Sequence, residues 1–96
     1  MKTLILRDIV KNSSSVEEGA VLFNHLKNAY LGNDTLILQV DSDVSLSSSF
    51  LNSSVGEFLD NYGFSNFKDT LKFKGSHTQF RRFNKYVQEY RNLYLV

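Results

Sequence analysis

Residues 35–62, TLILQVDSDVSLSSSFLNSSVGEFLDNY, decide the fold. Leu36 to Val40 is an apolar run of strand length, and Asp41 to Ser49 is a polar crossing. From Phe50 to Tyr62 apolar residues return at helical spacing, with Leu51, Val55, Phe58, Leu59 and Tyr62 on one stripe. Leu36, Leu38 and Val40 share one strand face, while Ile37 makes the other face apolar too. That pattern predicts a central strand covered by helices on each side. Strand, polar turn and helix in this order gather serine oxygens and free backbone amides where a strand ends. In open α/β sheets this edge is where ligands and partners bind.

Upstream, Lys2 to Val10 reads as a first strand with Leu4 and Leu6 facing inward. Ser14 with Glu17, or Ser15 with Glu18, has the spacing of a capping box. The helix that follows carries Val16, Ala20, Phe23, Leu26 and Tyr30 at spacings of three and four, widened by Leu22 and Ala29. Gly32 is placed to end it in a left-handed conformation. Downstream, Gly63 stops the second helix and Phe64 can fold back onto its last turn. Phe67 to Gly75 contains a third strand, with Leu71 and Phe73 inward and Lys72 and Lys74 outward, as suits a sheet edge. Ser76 and Gln79 form another capping-box pair. The last helix then repeats Phe80, Phe83, Val87, Tyr90 and Tyr94. Asn92 to Val96 is compatible with helix or with a short strand.

The order β-α-β-α-β-α predicts a small single α/β domain over residues 1–96, with a mainly parallel or mixed sheet and packed helices. The expected core is Leu4, Leu6, Phe23, Leu26, Leu36, Leu38, Val40, Leu51, Val55, Phe58, Leu71, Phe73, Phe83 and Val87.

Composition narrows the chemistry. Ninety-six residues supply one core, and 42% hydrophobic content suits a packed protein. The absence of cysteine excludes disulfides, thiolate catalysis and cysteine-ligated zinc. No stretch approaches a membrane span, and the apolar run at the N-terminus is interrupted by Arg7 and Asp8, so a cytoplasmic protein is expected. Net charge is +1, unevenly placed. Residues 1–67 hold four Lys/Arg against eight acids, a net −4, and residues 68–96 hold seven against two, a net +5.

The segment LILQVDSDVSLSSSFLNSSVGEFL, residues 36–59, resembles the STAS-like family. The resemblance rests on an apolar strand ending in Asp41, a short loop, and Ser48-Ser49-Phe50-Leu51-Asn52 opening a helix that contains Gly56. Gly19 in the preceding helix supports it, and the order of elements matches over roughly residues 2–90. STAS domains include the anti-sigma factor antagonists, whose Asp-Ser-Ser-Gly at this junction carries a phosphorylated serine. Their partner is a serine kinase of the histidine-kinase-like ATPase fold. Counting from Asp41, the resemblance puts Ser48 at the phosphoacceptor, with Ser47 and Ser49 as neighbouring candidates. Leu46 stands for the motif's aspartate and Ser49 for its glycine, and the opening hairpin of the antagonists is reduced to one strand. The resemblance implies a non-catalytic regulatory module. It would bind a histidine-kinase-like ATPase, or another anti-sigma-type kinase, through Asp41, Asp43, Phe50, Leu51 and Asn52.

The residues themselves leave other readings open. Ser47, Ser48 and Ser49 are equally suited to capping a helix. No Gly-x-Ser-x-Gly elbow accompanies them, so a serine hydrolase is not expected. Asp41, Asp43 and Ser48 are a conceivable small-ligand or phosphate site, although two carboxylates alone do not define a magnesium centre. His25 and His77 are isolated, and neither a metal nor a cofactor is expected. FRRFNKYVQEYRNLY mixes basic and aromatic residues, so Arg81, Arg82, Lys85 and Arg91 are candidate nucleic-acid contacts. Helical spacing also sends its aromatics to the core and leaves a basic face suited to acidic protein surfaces.

Overall fold

The computed structural model describes residues 1–94. Its elements are β1 (Lys2–Ile5), α1 (Leu6–Ile9), α2 (Val16–Leu31), β2 (Leu36–Gln39), α3 (Ser48–Leu51), a π turn (Asn52–Gly56), α4 (Glu57–Thr70), β3 (Leu71–Lys74) and α5 (His77–Tyr94). The three strands form a parallel sheet in the order β1-β2-β3, with Leu4 opposite Leu38 and Leu38 opposite Phe73. The expected α/β class, the central place of β2 and the edge place of β3 all hold.

Two right-handed crossovers stepping the same way across a sheet deliver their helices to one face. Accordingly α2 packs against α3, the π turn and α4, and these cover the face of Leu36, Leu38 and Leu71. The other face presents Thr3, Ile5, Ile37, Gln39, Lys72 and Lys74, exposed or half-buried. The expectation that β2 is buried on both faces is therefore corrected. Ile37 is an apolar residue on the open side.

Local chemistry sets the boundaries. The first strand stops at Ile5 instead of Val10. Leu6 begins a helical turn whose closing bond runs from Val10 N–H to the Leu6 carbonyl (3.1 Å), and that turn still buries Leu6. Ser15 Oγ accepts from Glu18 N–H (3.2 Å) to start α2, but Glu18 turns its carboxylate to Lys11 N–H (2.7 Å), so the box is half formed. The core face of α2 is Gly19, Leu22 and Leu26, while Val16 and Ala20 are exposed and Phe23 is half-buried. Its C-terminus is a Schellman motif: Asp34 N–H bonds the Ala29 carbonyl (2.8 Å) and Asn33 N–H the Tyr30 carbonyl (3.1 Å). The left-handed residue there is Asn33 (φ 57°), one position after the glycine expected to take that role.

Gly63, at φ 84°, interrupts α4 as its expected stop, and a second helical piece then runs on to Thr70. Phe67 consequently lies in a helix, and the third strand is confined to Leu71–Lys74. Leu4, Phe73 and Phe23 are only half-buried, whereas the remaining expected core residues are buried, joined by Leu22, Phe50, Leu59 and Phe67. In α5, Phe83 and Val87 are buried but Phe80 and Tyr94 are exposed. Asn92 to Tyr94 continue the helix, and the rest of the undecided C-terminal stretch lies outside the described residues.

Candidate functional site

The polar crossing after β2 ends at a helix start whose cap is Ser47. Ser47 Oγ accepts from Phe50 N–H (3.1 Å), and the Ser47 N–H is held by the Ser13 carbonyl (3.0 Å). Ser48 and Ser49 stand exposed in the first turn beyond the cap. The three serines are thereby separated: one closes the helix, and the next two present hydroxyls to solvent.

The helix they open is held from two sides through glycines. At Gly19 of α2, an added Cβ would overlap Ser53 Oγ and lie 2.6 Å from the Phe50 carbonyl oxygen. At Gly56, an added Cβ would meet the Tyr90 ring at 3.0 Å and the Tyr86 hydroxyl at 3.3 Å. Between these contacts the helix widens into its π turn. Ser54 Oγ donates to the Phe50 carbonyl at 2.7 Å, and Ser53 Oγ donates to the Ser49 and Phe50 carbonyls (3.0 and 3.1 Å). Serine hydroxyls bonding back along a helix compete with its regular ladder. Such turns frequently mark functional sites.

Helix α5 ties the loop and the helix together. Ser76 and Gln79 make the full capping box (3.1 and 3.2 Å). The same Gln79 gives its Nε2 to the carbonyls of Asp41 and Val44, the latter at 2.8 Å. Tyr86 donates to Asn52 Oδ1, and Tyr90 donates to Asp60 Oδ2 at 2.8 Å. Burial and the Asp60 carboxylate push the Tyr86 phenol up to about 12. Burial, then the hydrogen bond to Asp60, raises Tyr90 as well.

Asp41 forms an ion pair with Arg7 at 2.7 Å, whereas Asp43 is exposed. Beside Ser48 lies a cleft of about 220 Å³, lined by Val44, Leu46, Ser48, Gln79, Arg82 and Tyr86 among others. Neither aspartate lines it, so the structure does not join Asp41 and Asp43 to Ser48 in one pocket. No group of three or more His, Asp or Glu able to hold a metal occurs among the described residues.

Two sequence-based assignments to the partner-facing surface are corrected. Phe50 is 0% exposed and Leu51 is buried, because the helix turns both into the core against α2 and the sheet. Asp43, Ser48, Ser49 and Asn52 are exposed, Asp41 less so. The basic candidates also divide. Arg81, Arg82 and Lys85 share one side of α5. Arg91 lies about half a turn from Arg82 at 3.6 residues per turn, where its guanidinium stacks 4.2 Å from the Phe64 ring centroid. That Arg82 lines the Ser48 cleft is not legible in sequence spacing, since it depends on how α5 packs.

A small parallel sheet with helices on one face and a capped serine-rich junction at the end of its middle strand defines an α/β domain of STAS type. Residues 18–79 match the family model described as STAS-like domain of unknown function (DUF4325), and the chain belongs to that family. A search of curated proteins and a search of solved structures each returned no match to this chain. No helix among the described residues is long and apolar enough to cross a membrane.

Proposed function

We propose that the chain is a non-catalytic regulatory module. Its exposed surface from Asp41 to Asn52 binds a partner protein, a histidine-kinase-like ATPase, under the control of phosphorylation at Ser48. The family membership supports a regulatory role. The observation that carries the rest is the division of labour at the helix start. Ser47 supplies the cap, so the exposed Ser48 is not needed to hold the fold and can be modified without unfolding it.

A phosphate on Ser48 adds about −1.5 to −2 charges. The amides of the first turn and the guanidinium of Arg82 across the cleft offset that charge locally. The partner, by contrast, would have to desolvate the new anion beside Asp43. Modification therefore acts on the interface and not on the fold.

The purified chain is to be incubated with ATPases of this fold and ATP, with phosphosites mapped by mass spectrometry and binding measured by calorimetry. Expected is phosphate on Ser48, about tenfold weaker binding for Ser48→Asp at unchanged thermal midpoint, and full binding by an unmodifiable Ser48→Ala. Absence of phosphate throughout Ser47 to Ser49, with wild-type binding by Ser48→Asp, would reduce these serines to caps and solvated side chains.

A further inference from the structure

Among the described residues, the edge strand β3 is paired along one side only, with β2. A groove of about 490 Å³ runs between the second half of α4, β3 and α5; it shares only the buried Phe83 with the Ser48 cleft, and Ser48 does not line it. Its floor is apolar: Phe67 and Val87 are buried, while Phe73 and the 48% exposed Phe80 stand higher. Its rim is cationic. Lys68, Lys72 and Arg91 border it, and no acid does among the described residues.

We infer that this groove docks an extended acidic segment of a partner protein, laid beside β3 as a further strand with apolar side chains alternating with carboxylates. The free edge supplies backbone hydrogen bonds, and the pockets beside it take alternate side chains. The cations give the sign of the partner. Charge also selects against a second copy of this chain. Pairing β3 with itself would bring Lys72 and Lys74 against the same lysines, which discourages that contact while favouring an acidic strand.

A single-stranded nucleic acid satisfies the cations but not the rings. Bases need free aromatic faces. The Phe73 ring is already stacked on Phe83 (4.7 Å between centroids, 19° between planes), and Arg91 covers Phe64. That leaves Phe80 as one partly open ring, tilted against Phe73, where a strand of bases stacks on a succession of them.

The test pans a random peptide library displayed on phage against the full chain and against Lys68→Glu/Lys72→Glu/Arg91→Glu. All three positions are exposed, and circular dichroism checks the fold. Enriched peptides should alternate apolar residues with Asp or Glu. Their affinity by fluorescence anisotropy should fall about tenfold or more on the variant, and fall with salt. N-methylation of alternate peptide amides should abolish binding, and amide resonances of Phe73 and Phe80 should shift in the wild-type chain, a readout that needs no variant. Enrichment of basic or uncharged peptides, no clone sensitive to the three charges, or oligothymidylate bound to the wild type and lost by the variant would each overturn the inference. Ser48→Asp should leave these peptides bound, so this groove and the Ser48 surface succeed or fail separately.

Discussion

Gly19 and Ser53 meet across the interface of α2 and the π turn with no room for a methyl group between them. Gly19→Ala should therefore destabilise the domain by about 1–3 kcal/mol through overpacking, even though alanine favours a helix by about 1 kcal/mol. Urea denaturation measures this. Adding Ser53→Gly should recover only part of the loss, because the Phe50 carbonyl oxygen still stands 2.6 Å from the new Cβ. Gly56→Ala should cost less, since the tyrosine rings it meets can swing and a carbonyl cannot.

Ser47 and Ser48 are adjacent, yet their alanine variants should differ. Ser47→Ala removes the oxygen that takes Phe50 N–H and should lower stability by about 1 kcal/mol. Ser48→Ala, at an exposed position beyond the cap, should stay within about 0.5 kcal/mol of wild type. Equal losses would assign the cap to both.

Gln79 uses one end for its own helix and the other for the loop from Asp41 to Val44. Gln79→Glu keeps an oxygen for Ser76 N–H but sets it against the carbonyls of Asp41 and Val44 where a donor stood. Hydrogen exchange should quicken in that loop for Gln79→Glu. For Gln79→Ala it should quicken in both the loop and the first turn of α5.

The tyrosine contacts give stability an alkaline limit. An unfolded phenol ionises near 10.0, whereas folded Tyr86 holds its proton to about 12 and Tyr90 is raised as well. Between those values the unfolded chain has lost protons that the native state keeps. The stabilisation is complete below about pH 10 and drains as pH rises to about 12. Thermal midpoints should fall across that window, and Tyr86→Phe/Tyr90→Phe should flatten the fall.

Much of this was legible in the residues. The strand at Leu36, the junction after Asp41, the Gly63 break and the Ser76–Gln79 box follow from spacing and turn chemistry. Phe50 is placed at the surface by the resemblance and not by spacing, and the polar Ser54 one turn on gives no apolar signal to counter that placement. A hydroxyl answered by the Phe50 carbonyl can be fully buried, but its polarity breaks the apolar count. The core face of α2 turned out to centre on Gly19 for a similar reason, since a glycine adds nothing to a hydrophobic tally. The one-sided sheet was out of reach of periodicity, because it follows from the strand order and not from any single strand.

The π turn has a bearing on chain length. It amounts to an α-helix carrying one surplus residue, absorbed within Asn52–Gly56. Deleting a residue elsewhere between Ser48 and Tyr62 would rotate everything beyond it by about 100°, parting Ser48 from its cleft or Phe58 from the core. Deleting Asn52 or Ser53 would instead convert the turn to regular helix and leave both ends in phase. A family member one residue shorter between its counterparts of these two ends is expected to carry the gap here.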